Sequence, residues 1–151
     1  MLSVTRVIFW NWPATKVKQM KAISVRQPDA WFIAQGIKDI ENRTWATSHR
    51  GWVLIHASGK KMTKDDREYL RDTCEANGIP VPESLDIGGI VGVAYLLDCV
   101  NSDSSVWFDG PVGWVLTGAI PLPFRKTTGK LGLFDIPEFS IDGDDLIIPS
   151  E

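Results

Sequence analysis

GIKDIENRTW, Gly36 to Trp45, places a glycine, a lysine, a glutamate, an arginine and a tryptophan in one decamer, and the rest of the chain is read outward from it. In an extended segment, residues two apart share a face, at about 3.3 Å per residue. Glu41 and Arg43 then project together, roughly 6–7 Å apart, with Trp45 next in line. Lys38 stands three residues before Glu41 and points the other way in a straight strand. A turn just after Gly36 is needed to fold it back over the same face. Two cations and one acid suit a phosphate or carboxylate together with a base amine. The same row also reads as surface ion pairs, which contribute little.

Before the decamer, KAISVR (Lys21 to Arg26) alternates as a strand, with Ala22, Ser24 and Arg26 on one face. Gln27-Pro28 ends it. Pro28 and Asp29 suit the first turn of a helix through Ala30, Trp31, Ile33 and Ala34, and Gly36 suits its C-terminal cap. After the decamer comes a turn at Thr47-Ser48-His49, and then GWVLIHAS, Gly51 to Ser58, an apolar buried strand. Thr63 is an N-cap with Asp65 and Asp66 behind it, and Gly78 follows the end of that second helix. Tyr69, Leu70, Thr73 and Cys74 recur at helical spacing and are expected to face the core. GGIVGVAYLLDCV, Gly88 to Val100, reads as a long strand whose glycines suggest a bulge or a close strand crossing. Gly110-Pro111 turns into a strand at Val112–Leu116, and Pro121, Pro123 and Thr127-Thr128-Gly129 punctuate further short strands. IDGDDLIIPSE either adds an edge strand or frays. Short strands without regular helical crossovers predict an α+β fold, a small β-barrel of mixed strands with two or more covering helices.

The chain has 151 residues, 44% of them hydrophobic and 23% charged, which is one ordinary globular domain. Its net charge is −3, but the acids after Phe134 have no Lys or Arg among them, so the body before them is mildly basic. That distribution is compatible with an anionic ligand. Residues 1–19 read as an N-terminal extension, residues 20–137 as the domain, and residues 138–151 as an acidic tail. Cys74 and Cys99 lack metal or redox spacing. No apolar run reaches transmembrane length. A cytoplasmic, reduced, monomeric protein is the default expectation.

GIKDIENR also matches the GxKxxExR motif of the ASCH family through Gly36, Lys38, Glu41 and Arg43. KAISVRQP, ENRTW, GWVLIHAS, GGIVGVAYLLDC, GPVGWVL and GKLGLFDIP agree in order, so the chain resembles a small stand-alone bacterial or phage ASCH-domain protein. The resemblance implies a PUA-like barrel with a cleft for RNA or a nucleoside-like ligand. One branch of the family removes an acetyl group from acetylated cytidine nucleosides with a lysine, a threonine three residues later and a remote glutamate. The lysine corresponds to Lys38; the threonine's place is taken by Glu41, and none of Asp98, Asp103 or Asp109 matches a motif for the glutamate.

Three readings follow. In the first, Gln27, Lys38, Glu41, Arg43 and Trp45 form a binding site for RNA or a modified nucleoside. Lys38 and Arg43 meet anionic or carbonyl oxygens, Glu41 reads an amine and Trp45 stacks. Gln27 reads equally as a residue that holds its own turn, and Trp45 equally as buried. In the second, the protein is a small hydrolase, an amidohydrolase or ribonuclease, with Lys38 and Glu41 as its catalytic pair. In a third, the charged row only pairs internally. His56, at the end of an apolar strand, reads as a hydrogen-bonded core residue. Two histidines and no clustered thiols or acids predict no metal site, and no P-loop glycine pattern is present. No cofactor is expected. Lys60, Lys61 and Lys64 beside Arg67 form a basic run, either solvated or a guide for an RNA backbone.

Overall fold

The apolar run at Gly51–Ala57 has no polar face to turn outward, so it needs a strand on each side and packing on both surfaces. The computed structural model of the chain, which describes residues 4, 6–10, 18–142 and 145–149, gives it both. The elements in chain order are β1 (Arg6–Trp10), β2 (Lys18–Val25), α1 (Asp29–Ala34), β3 (Ile40–Arg43), β4 (Gly51–Ala57), α2 (Lys64–Ala76), β5 (Gly89–Val100), β6 (Val112–Lys126), β7 (Leu133–Asp142) and β8 (Asp145–Pro149). All eight strands join one curled mixed sheet, a half-barrel in the order β1-β8-β7-β2-β4-β5-β6-β3. The β2–β4 and β1–β8 pairs are parallel and the rest antiparallel. With its two helices this is the expected α+β, PUA-like architecture.

Alternation along β2 and β4 divides the core. Met20, Ala22, Trp52 and Leu54 enter one apolar cluster, while Ile23, Val25, Val53 and Ile55 enter the other. Helix α1 covers the second cluster with Ala30 and Ile33, and Phe32 joins a third cluster that docks α2 through Leu70 and Cys74. Phe32 and Ile33 are fully buried, a contribution of about 1.5–3 kcal/mol each. Of the α2 residues expected to face the core, Leu70 and Cys74 do; Tyr69 stays partly exposed, for a reason given below. The register of β5 against β6 shifts between Ile90 and Gly92, the bulge suggested by the glycines of that strand, and the close approach at Gly92 is by a helix rather than a strand. A side chain there would lie 2.7 Å from Ala34 Cβ, so glycine lets α1 sit directly on the sheet.

The expected series of short strands after Leu116 is instead one continuous strand, β6, of 15 residues. Pro121 and Pro123 fall where a proline is tolerated. β3 pairs only with Val112 to Val115, so beyond them β6 has one partner, β5, among the described residues. The sheet also runs past residues 20 and 137. β7 continues to Asp142, and β1 pairs with β8 with Arg6 bonded to Asp145. Residues 1–3, 5 and 11–17 of the N-terminal stretch, and 143–144 and 150–151 of the acidic one, lie outside the described residues.

Candidate functional site

Gly36 sets the geometry of the decamer. Its φ is +76°, a left-handed conformation open to glycine at little cost. The amide of Gly36 donates to Ile33 O, and those of Ile37 and Lys38 both donate to Phe32 O. These are the bonds of a Schellman cap, which satisfy the last carbonyls of α1 and turn the chain back along the helix. Lys38 is thereby folded toward the start of α1, the turn its placement requires. Its side chain is 5% exposed. The ammonium lies 3.9 Å from Asp29 Oδ2 and 5.1 Å from the centre of the Trp107 ring, an ion pair at long range and a cation–π contact.

Two residues after this turn β3 begins, hydrogen-bonded along one edge to β6. Glu41 and Arg43 share a face, as spacing by two requires, and pair directly with Arg43 Nη2 3.1 Å from Glu41 Oε2. The same Nη2 donates to Ser24 O at 2.7 Å. Between the two runs Asn42, whose side chain donates to Trp107 O and accepts from the amides of Asp109 and Gly110. Asn42 therefore holds the 105–110 loop against the strand, and Ser105 adds a bond to Asp39.

Lys38, Glu41 and Asn42 share the wall of an open cleft of about 550 Å³ with Asp29, Tyr69, Trp107 and Asp109. Burial raises the Glu41 carboxyl above the ordinary carboxylate range, opposed by the charges of Arg43 and Lys38 and reinforced by Asp29. The Tyr69 hydroxyl is likewise raised, by burial and by Asp29, to which it donates at 2.8 Å. Tyr69 thus turns its ring edge to Phe32 at 5.5 Å and its polar end to the cleft, which explains why it is not fully buried. The result is a desolvated cation and a proton-retentive carboxyl facing one space, beside the aromatic rings of Trp107 and Tyr69.

The other residues singled out from the sequence lie apart from this cleft. Gln27 is buried with its amide engaged at both ends, Nε2 donating to Asp86 O and Oε1 accepting from the amide of Trp31. Trp45 is 37% exposed, packs edge-on against Trp114 at 4.9 Å and offers its carbonyl to the Trp114 indole N–H. It lines neither this cleft nor the one described next. Arg43 turns to that second cleft, about 660 Å³, at the ends of β2 and β4 and beneath the β6–β7 connection. His56 is buried there, bonded to Ser24 Oγ at 3.0 Å and to Thr127 O at 2.6 Å. Its Nε2 must donate to that carbonyl, so in the neutral ring Nδ1 accepts from Ser24.

Asp29, Tyr69, Trp107 and Asp109 were not read as site residues from the sequence. They reach the cleft from the start of α1, the middle of α2 and the 105–110 loop; Tyr69 stood out only as a polar-tipped ring in its helical stripe, and Asp109 only as one of three acids without a matching motif. Among the described residues no cluster of three or more His, Cys, Asp or Glu could hold a metal, and no helix is long and apolar enough to cross a membrane.

Comparison with known proteins agrees with the half-barrel. Over 82 residues the chain is 33% identical to activating signal cointegrator 1 of Homo sapiens and 32% identical to that of Mus musculus. The match takes in 52% of this chain and 14% of the length of each relative, so the chain corresponds to a small part of either. The profile of the ASCH domain matches residues 23–109, which include α1, the whole decamer and every residue lining the first cleft. With more than half of its length matched in this way, the chain belongs to the ASCH domain family.

Proposed function

We propose that the cleft walled by Lys38 and Glu41 binds RNA or a modified nucleoside. ASCH domains are in general RNA-binding, PUA-like domains, and one observation carries the reading to this cleft. Lys38 and Glu41 are 5% and 8% exposed, yet both border an open cleft beside aromatic rings. Buried polar groups that face a cleft gain from a partner with matching donors and acceptors, and the edge of a base offers both. In this arrangement Lys38 donates to a ring carbonyl, Glu41 accepts from an amine, and the rings of Trp107 and Tyr69 flank the flat ligand. Arg43 acts through Glu41, whose charge it offsets.

A nucleoside and oligoribonucleotide panel read by thermal shift tests this. A ligand of the cleft raises the melting temperature of the native protein and not that of a folded Lys38→Ala or Glu41→Ala variant. Equal shifts in native and variant proteins would sink the assignment.

The raised proton affinity of Glu41 favours a second reading, in which Glu41 exchanges a proton with a water held by Lys38 and the protein is a small hydrolase. Incubation with acetylated cytidine and with a short RNA separates the two. Turnover that disappears in Lys38→Ala supports hydrolysis; binding without turnover supports the module.

A further inference from the structure

The second cleft carries an inference that needs neither reading of the first. Four cationic residues line it, Arg26, Arg43, Lys126 and Lys130, and no Asp or Glu does so among the described residues. The remaining wall is largely hydroxyl-bearing and glycine residues, including Ser24, Thr127 and Thr128. In a chain whose net charge is −3, such a one-signed concavity is not a sample of the average surface.

The cations differ in how far they are already compensated. Arg26 pairs with Asp66 at 2.9 Å, and Arg43 with Glu41 at 3.1 Å. Neither Lys126 nor Lys130 makes an ion pair within 4 Å among the described residues; Asp135 feels the charge of Lys130 only at longer range. Arg43 also keeps one donor, Nε, buried with no hydrogen-bond partner among the described residues. Buried donors in folded proteins are almost always satisfied, so Arg43 retains hydrogen-bonding capacity that the described residues do not use. Arg presents a planar fork and Lys a mobile point charge, a combination that matches tetrahedral oxyanions. The β6–β7 connection is also held in place, because His56 bonds Thr127 O and the Thr127 amide donates to Gly88 O. The lysines flank an anchored turn.

We propose that this cleft is a phosphoryl-binding site, in which Arg43, Lys126 and Lys130 hold the oxygens of a terminal phosphate or of an internal phosphodiester. No glycine-rich phosphate loop is involved; the recognition is by side chains.

Titration of the native protein with inorganic phosphate and tripolyphosphate tests it, followed by a nucleoside 5′-monophosphate and matched oligoribonucleotides with and without a 5′-phosphate. Binding is expected to weaken with added salt and to fall at least tenfold in the Lys126→Ala/Lys130→Ala double variant. Both lysines are exposed, so the variant is expected to keep the native unfolding transition. Binding of any first-cleft ligand is expected to persist in the Lys126→Ala/Lys130→Ala double variant, which separates failure of this site from failure of the first cleft. Preference for the phosphorylated ends identifies a terminal phosphate, and equal binding of both oligonucleotides identifies the strand backbone. No binding of any phosphate-bearing probe, or equal binding by the native protein and the double variant, would overturn the proposal.

Discussion

The two clefts are built from neighbouring residues and differ in kind. The first sets acids and a lysine together in a desolvated wall with aromatic rings, so that each charge is partly answered by another. The second gathers cations and hydroxyls and leaves the answering charge outside the wall. A mixed, desolvated wall discriminates among polar neutral ligands, because any mismatch leaves a buried group unpaired. A one-signed wall draws in opposite charge with little regard to what carries it. Similar volumes therefore do not imply similar ligands.

The sharpest way to divide the clefts is through the element that only one of them uses. Gly92→Ala forces α1 off the sheet, since the new methyl would lie 2.7 Å from Ala34 Cβ. We expect a loss of about 1–3 kcal/mol in urea unfolding. Ligand affinity at the first cleft is expected to fall as Asp29 shifts from Lys38, while phosphate binding at the second persists. Next in size, Gly36→Ala places a side chain at φ +76°. A cost of about 1–2 kcal/mol is expected, and again only the Lys38 cleft is disturbed.

Helix α2 lines the first cleft through Tyr69 and reaches the second only through the Asp66–Arg26 pair, so its cap tests whether they are independent. Thr63 accepts from the Asp66 amide while Asp66 accepts from the Thr63 amide, and the same Asp66 carboxylate pairs with Arg26. Thr63→Ala is expected to cost about 1 kcal/mol. It also loosens Asp66 and makes Arg26 more available, so phosphate affinity is expected to rise slightly rather than fall.

The last effect, read across pH and the most specific, belongs to Glu41. Its carboxyl is held above the ordinary value of 4.5 by burial. The folded state then keeps a proton that the unfolded state has lost, so stability declines as pH rises from about 4.5 through the raised folded value. Glu41→Gln is expected to remove that decline from a series of unfolding curves. Asp66, Asp135 and Asp145 are depressed instead, so their contributions are lost only as pH falls below the ordinary 3.8. A decline unchanged in the variant would show that Glu41 ionises freely.

Much of this was legible in the chain. β4 announced itself as an uninterrupted apolar run, α2 through its Thr63 cap and the turn after Gly36 through glycine chemistry, and spacing by two brought Glu41 beside Arg43. What local reading missed depends on partners distant in sequence. The continuity of β6 through two prolines follows from where β3 stops pairing. Trp107 and Asp109 enter the first cleft because Asn42 anchors their loop. The second cleft assembles from the far ends of strands and a turn, separated by about a hundred residues between Ser24 and Lys130. No single segment advertises it.

Arg43 has one further consequence, because its guanidinium faces one cleft while its counter-charge faces the other. An anion that draws the guanidinium toward the second cleft leaves the Glu41 carboxylate less compensated, and Glu41 then holds its proton more tightly. If an anion binds there, proton uptake at Glu41 is the expected accompaniment, and by thermodynamic reciprocity a ligand that favours protonated Glu41 would favour the anion too.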